Sequence, residues 1–248
     1  MKKRTKKTIS VATKVFTRLL LATILCAIVF VSMGFVTVGV FGDEVGYRVI
    51  DTEKGVYLED MEYRYKAGES SAVRNELKLE EHLYAEPIME AKASTQTVMN
   101  VIAQVIMLIL LGIFPYNILW QFGNRDDTNV RYKGQRPDPW RGVKIGALAM
   151  LPFALFWVVL LAARGLGWND FYSVYNLVSI PFIHYNTLVL GSFEVLSDVA
   201  FWRLFLLLPT LMYIPAVCAV SYRMGGHKFS LVEFLTFAKK KEDTEEEV

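Results

Sequence analysis

Long uncharged stretches alternate along this chain with short charged ones. The longest, residues 93–124, has thirty-two positions without a charged side chain, and as a helix it exceeds the roughly 30 Å hydrocarbon core of a bilayer. Residues 19–42, 145–163 and 204–222 are also uncharged and long enough to cross. The pattern predicts four transmembrane helices, at residues 19–42, 93–122, 145–164 and 198–224.

The predicted fold class is an all-α polytopic membrane protein: four transmembrane helices plus interfacial amphipathic helices, with a small extracytoplasmic β-hairpin and helix element. Residues 46–65 are rich in Tyr and Val, which favours the hairpin. The change of side-chain parity at Glu59 and Asp60 predicts a bulge or a second turn. Ser70 is expected to cap a short helix that continues through Tyr84, and Pro87 to open the approach to the second span.

Charge sets the predicted orientation. Residues 1–18 carry seven bases and no acid, whereas residues 42–96 carry thirteen acids against seven bases. Because basic flanks stay in the cytoplasm, the first helix is expected to run outward, as an uncleaved signal anchor too long for a cleaved signal peptide. The segments that separate and follow the transmembrane helices are predicted as follows. They are an extracytoplasmic element (43–92), a basic cytoplasmic loop (123–144), an extracytoplasmic interfacial segment (165–197) and a cytoplasmic amphipathic helix with an acidic tail (225–248). The protein is therefore predicted to be a multi-pass cell-membrane protein with both termini in the cytoplasm.

Residues 171–193 are the ambiguous part, since they are uncharged and long enough to cross. A stripe with 3,4 spacing favours a helix lying in the membrane interface instead. The stripe consists of Trp168, Phe171, Tyr175, Val178 and Phe182. A fifth span here would also place the C-terminal lysines outside, against the positive-inside rule. Four spans are predicted, with five as the alternative.

Local signals mark the helices near the C-terminus. Ser197 is expected to cap the last span with Asp198 in its first turn, and Pro209 and Pro215 to kink it. Ser230 and Glu233 form a capping box, which starts a short helix directed to anionic lipid headgroups by the lysines at 239–241.

One feature of the predicted cytoplasmic loop (123–144) and one at the start of the third span bear on how the helices pack. Asp126 and Asp127 lie among bases and are predicted to belong to a solvated or headgroup-facing loop, with docking of a cytosolic protein as the alternative. Gly142 and Gly146 are four residues apart, which permits close approach of another helix.

The second predicted span carries three amides on one helical face, Gln96, Asn100 and Gln104. Lipid cannot satisfy them, so they are expected to face other helices or a wet cavity. The favoured interpretation is interhelical hydrogen bonding, and the alternative is a polar cavity for a small ligand.

A second group of candidates is predicted at the outer face: His184, Glu194, Asp198 and Arg203. One histidine with carboxylates is a weak pattern for a metal, so these side chains are expected to anchor the interface, with a ligand or ion site as the alternative. The histidines lack protease spacing, and phosphate loops, dinucleotide fingerprints and CxxC motifs are absent. The sequence predicts no catalytic residue, cofactor or metal.

The favoured function is a non-enzymatic accessory, scaffold or regulatory subunit of a bacterial-type membrane complex, because the soluble elements are small and the spans lack charge. A small transporter or channel subunit with a polar path along the three amides is the first alternative, and a membrane-embedded enzyme is the second. Expected partners are the bilayer, anionic headgroups, and a membrane protein or a second copy of the chain, with no nucleic acid.

Overall fold

The computed structural model describes residues 2–53, 56–66, 71–75, 82–134, 136, 138–191, 196–227 and 229. The helices are α1 (Lys2–Phe41), α2 (Ala72–Asn75), α3 (Ala93–Lys133), α4 (Arg141–Leu166), α5 (Phe171–Val178), α6 (Ile183–Leu190) and α7 (Leu208–Gly226), and the strands are β1 (Gly42–Asp51), β2 (Val56–Arg64) and β3 (Leu83–Ala91). Short 3-10 helices cover Ile180–Phe182, Leu196–Asp198 and Phe201–Leu207. The protein is mostly helical with one small sheet.

Four helical stretches are long and apolar enough to cross a membrane: Thr5–Phe41, Ala93–Lys133, Arg141–Leu166 and Phe201–Gly226. In their most apolar windows only 17% to 33% of the residues are buried inside the protein. Apolar side chains exposed along whole helices are stabilised by an apolar surrounding such as lipid. The prediction of four apolar helices of spanning length is confirmed.

The helices extend beyond the apolar stretches. The second long helix, α3, continues to Lys133, well past the predicted end at residue 122, and α4 begins at Arg141. Most of the predicted loop 123–144 is therefore helical. The prediction that Asp126 is solvated is wrong, since its exposed fraction is 6%.

Residues Ile28–Val105 form one compact unit. Its sheet has the strand order β2-β1-β3, with both pairs antiparallel. β1 begins at Gly42, directly after α1 ends, and only Lys92 separates β3 from α3. Gly42 pairs with Ala91, so the β1–β3 ladder starts at the two helix ends.

The predicted hairpin corresponds to β1 and β2, and its irregularity lies where the sequence predicts it. Between the pairs Ile50–Tyr57 and Arg48–Glu62, β1 contributes one residue and β2 contributes four. β2 therefore bulges across residues 58–61, which explains the change of parity there.

The helix predicted from Ser70 to Tyr84 is wrong in its last part. Tyr84 belongs to β3, and Pro87 lies within the same strand opposite Tyr47; Ser70 lies outside the described residues. β3 is an edge strand, where a proline without an N–H is tolerated. Its Glu, Ala and Pro residues have low strand propensity, so pairing with β1 outweighs the local preference.

The second unit combines Met1–Ala27 with Ile106–Val248. Its first core cluster joins α1, α3, α4 and α7, with Val15, Leu19, Leu119, Ile145, Ile214 and Cys218 among its buried members. The glycines of α4 bring it against α7, because a Cβ on Gly146 would lie 2.6 Å from Cα of Pro215 and one on Gly142 2.7 Å from the carbonyl oxygen of Cys218. This is the close helix approach that their spacing permits.

The second core cluster joins α4 to the segment that follows it. Its members are Leu160, Ala163, Phe171, Tyr175, Leu190, Leu196, Val199, Leu204 and Leu207. The predicted interfacial stripe is turned inward here: Phe171 and Tyr175 are buried, whereas Val174 and Leu177 are exposed. Among the described residues the segment 171–190 is broken into α5, a 3-10 turn and α6, and its apolar helix Ile180–Leu190 is shorter than a bilayer requires.

The start of the last long helix also differs from the prediction. Ser197 does not cap it, since the N-cap position before Phe201 is occupied by Ala200, with no side-chain cap. Pro209 lies in the first turn of α7, where a missing N–H costs little, so Pro215 is the proline inside that helix. The predicted capping box at Ser230 and Glu233 lies outside the described residues.

Candidate functional site

Four helices contribute side chains to one buried polar group, which we name the Asp126 cluster. It consists of Thr8 from α1, Phe122 and Asp126 from α3, Arg141 from α4, and Tyr222 from α7. Asp126 follows Leu119 and Phe122 at helical spacing on the buried face of α3. Arg141 is the first residue of α4 and Tyr222 lies in the last turns of α7, so the cluster joins the ends of three helices to α1.

The Asp126 carboxylate is the acceptor at the centre of the cluster. Its Oδ2 atom accepts a hydrogen bond from Arg141 Nη1 at 2.5 Å and another from the Tyr222 hydroxyl at 2.8 Å. Arg141 Nε donates to Thr8 Oγ1 at 3.3 Å. The two ionised side chains are 6% and 2% exposed as residues, so each neutralises the other in a site nearly without solvent.

An aromatic ring completes the surroundings of the guanidinium. The Arg141 guanidinium lies 4.7 Å from the centroid of the Phe122 ring, and Lys7 Nζ lies 5.3 Å from the same centroid. Arg141 Nη2 is buried and has no hydrogen-bond partner. The cluster can hold four helices in register, since removing any charged partner leaves a buried charge uncompensated.

The three amides of α3 lie in the other unit. Gln96 is exposed, and Asn100 and Gln104 are half-buried. Interhelical hydrogen bonding and a polar cavity for a small ligand both stay predictions for this stripe.

Two of the outer-face candidates, Asp198 and Arg203, each contact a residue adjacent in the sequence. The Ser197 hydroxyl donates to Asp198 Oδ1 at 3.3 Å, and the Arg203 guanidinium lies 5.7 Å from the Trp202 ring centroid. Burial lowers the pKa of His184, and Glu194 lies outside the described residues. Across the described part of the chain, no group of three or more His, Cys, Asp or Glu side chains could hold a metal ion.

A small cavity lies between the two core clusters of the second unit. Its volume is about 30 Å³, and Tyr175, Ser179 and Thr210 are among its lining residues. This volume holds about two water molecules. Nearby, Asn186 Nδ2 donates to Ser179 Oγ at 2.8 Å, while Asn186 Oδ1 is buried without a partner. Most of the lining side chains are apolar, so the cavity can remain dry, and it is too small for a metabolite.

Sequence reasoning missed the Asp126 cluster and assigned its carboxylate to a loop. The signal that reveals it is the buried stripe of α3, in which Met107, Leu111 and Leu119 recur at helical spacing and Phe122 and Asp126 continue the series. An acid on the buried face of a helix needs a cationic partner.

The fold and these sites define a mostly helical protein with four long apolar helices suited to a membrane and one small sheet. No family model, curated protein or solved structure matches the chain at a significant level.

Proposed function

We propose that this protein is a non-enzymatic subunit of a membrane complex, in which the four apolar helices cross the bilayer and the small sheet contacts a protein partner. The observation that carries the proposal is an exposed row of side chains across the sheet. Ile50 of β1 pairs with Tyr57 of β2 on one side and with Tyr84 of β3 on the other. Directly paired residues lie on the same face of a sheet, so the three side chains form a continuous row.

The two faces of the sheet differ in exposure. On the face with the row, Tyr57 is 49% and Tyr84 is 56% exposed. On the opposite face, Tyr47 and Val49 are buried, and the Tyr47 ring lies 5.5 Å from that of Tyr63. One face is therefore buried, and the other presents aromatic side chains outward.

Charged neighbours hold the row in place. The Arg48 guanidinium lies 4.0 Å from the centroid of the Tyr57 ring, and its Nε donates to Glu86 Oε2 at 2.8 Å. Tyrosine and arginine are the residue types enriched at protein interfaces and among their energetic hot spots. An ordered surface of this composition suits a protein partner better than it suits solvent.

The sheet is also joined directly to two long helices along the chain. Helix α1 runs into β1, a single residue links β3 to α3, and Lys92 Nζ lies 3.6 Å from Asp43 Oδ2 beside these junctions. A partner bound to the sheet is therefore connected to the helices without a flexible linker.

The test is a mild-detergent pull-down of the tagged protein followed by mass spectrometry, with Tyr57→Ser and Tyr84→Ser combined in one variant. Truncating two central interface tyrosines is expected to cost about 2 kcal/mol or more each, so recovery of a stoichiometric partner should fall at least tenfold. The control is Tyr132→Ser, which removes a tyrosine that is 83% exposed on α3 outside the sheet.

Equal partner recovery by the double variant and the wild type would contradict the proposed contact. A self-assembled oligomer without another stoichiometric protein, combined with flux in proteoliposomes that Asn100→Leu and Gln104→Leu abolish, would replace the subunit role by the transporter alternative.

A further inference from the structure

We propose that a groove between α1 and α3 binds the headgroup of an anionic phospholipid. The proposal rests on the four long helices crossing a bilayer. Three bases line the groove, Lys14 and Arg18 from α1 and Arg125 from α3, and its volume is about 510 Å³. Its apolar walls are formed by Val11, Ile118 and Phe122.

Helical spacing places these residues on two facing sides. Val11, Lys14 and Arg18 are three and four residues apart on α1, and Ile118, Phe122 and Arg125 repeat the pattern on α3. Residues with this spacing share one face of a helix. The groove therefore combines two bases and one apolar side chain from α1 with one base and two apolar side chains from α3.

The position of the groove along the helices matches a lipid headgroup. Arg18 is the last charged residue before the uncharged stretch 19–42, and Arg125 is the first after the uncharged stretch 93–124. The two arginines therefore mark the boundary between apolar and polar sequence on antiparallel helices, and both line the same groove. This boundary is the level at which phospholipid phosphates lie in a bilayer.

Nearby acids do not neutralise the positive charge of the groove. The Asp126 carboxylate accepts hydrogen bonds from Arg141 and Tyr222. Asp127 Oδ2 lies 2.8 Å from Arg131 Nε. Among the described residues no acidic side chain lines the groove or forms an ion pair with its three bases. Arginine binds phosphate through paired N–H donors, and lysine binds it as a point charge.

The apolar walls favour a lipid over a soluble phosphate. Phe122 is fixed beneath the Arg141 guanidinium at 4.7 Å, which gives the groove a rigid apolar side next to its cations. A phospholipid presents a phosphate followed by glycerol and acyl chains, and so contacts the bases and the walls together. A soluble phosphate uses only the bases.

The test uses native mass spectrometry of the full-length protein in neutral detergent, with phosphatidylglycerol and phosphatidylcholine added at equal concentrations. We expect one phosphatidylglycerol to remain bound with about tenfold or greater preference. Each basic side chain near anionic lipid contributes about fivefold in affinity. The variant Lys14→Gln, Arg18→Gln, Arg125→Gln should therefore lose the preference.

Two further variants separate the groove from overall charge and from folding. Lys133→Gln, Arg136→Gln, Arg223→Gln removes the same numbers of lysines and arginines outside the groove and should keep the preference. Lys14→Arg, Arg18→Lys, Arg125→Lys preserves the charge and should retain binding. If the first triple variant fails to fold, Arg125→Gln, an exposed single change, should reduce the preference about fivefold.

Three results would overturn the proposal. The first is an unchanged preference in the groove variants. The second is an equal loss in the control with bases removed elsewhere, which would indicate attraction by net charge alone. The third is displacement of the lipid by glycerol phosphate at the same concentration, which would indicate a site for soluble phosphate.

Discussion

Asp126 and Asp127 are adjacent and chemically identical, yet their surroundings differ. Asp126 is buried with Arg141 and Tyr222, whereas the partly buried Asp127 pairs with the exposed Arg131 one helical turn away. Removing one member of a buried ion pair leaves the other charge without a partner or solvent. When one member of a surface pair is removed, water solvates the remaining charge. The two positions therefore provide a matched comparison within one helix.

We expect Asp126→Ala to lower the free energy of unfolding by about 3 to 5 kcal/mol, because Arg141 would remain buried without its carboxylate. Asp127→Ala should cost no more than about 0.5 kcal/mol. Thermal unfolding in detergent, followed by circular dichroism, measures both. Similar melting temperatures for the two variants would show that the Asp126 cluster does not stabilise the helices.

The difference between Asp126 and Asp127 shows which kind of contact the sequence does not predict. A pair of acids among bases has the composition of a loop, and the apolar pattern of α3 ends at residue 124. The partner of Asp126 begins a different helix, fifteen residues further along. The helical stripe through Leu119 and Phe122 indicates that Asp126 is the acid on the buried face of α3, but only the folded arrangement brings Arg141 to it.

At the scale of helices, the contact of α4 with α7 depends on residues without side chains. Gly146 lies against Pro215 with no room for a Cβ, whereas Gly165 in the same helix has nothing within 4 Å of that position. The same substitution therefore tests close packing at one site and helix propensity alone at the other.

We expect Gly146→Ala to destabilise the protein by about 1 to 3 kcal/mol through overpacking. Gly165→Ala should stabilise it by up to about 1 kcal/mol, because alanine is the better helix former. Chemical or thermal unfolding in one detergent compares them. Stabilisation by both substitutions would mean that α4 and α7 can move apart at Gly146 without a loss of stability.

Elements with a strong periodic signal were predicted well, and those that depend on a distant partner were not. The four apolar helices and the hairpin of β1 and β2 follow from length, hydropathy and alternation. β3 does not, because its residues favour other structures and only pairing with β1 makes them a strand. The stripe on α5 was recognised, but its burial depends on α4 and on residues 196–207.

At the scale of the whole molecule, the charge distribution predicts both termini in the cytoplasm and the sheet outside. Cys26 and Cys218 are buried, so the native chain provides a low background for thiol labelling. We expect an impermeant maleimide to label Glu53→Cys in intact cells. Tyr132→Cys and Glu245→Cys should react only after permeabilisation.

Labelling of Glu245→Cys in intact cells, with Tyr132→Cys still protected, would favour an odd number of spans. Such a result would require residues 171–193 to cross the membrane, although α5 and α6 are separate short helices in the structure. Protection of both positions supports the predicted orientation of four spans.

The strand order of the sheet has a consequence for biosynthesis. β1 is the central strand and the first to be made, so both of its edges are unpaired while the next residues are translated. The ladder with β3 cannot close until residue 91 is present, and α3 starts two residues later. Completion of the sheet and synthesis of the second long helix therefore follow one another directly. A chain arrested before residue 83 would expose one bare strand edge, which is a substrate for aggregation or for quality-control proteases.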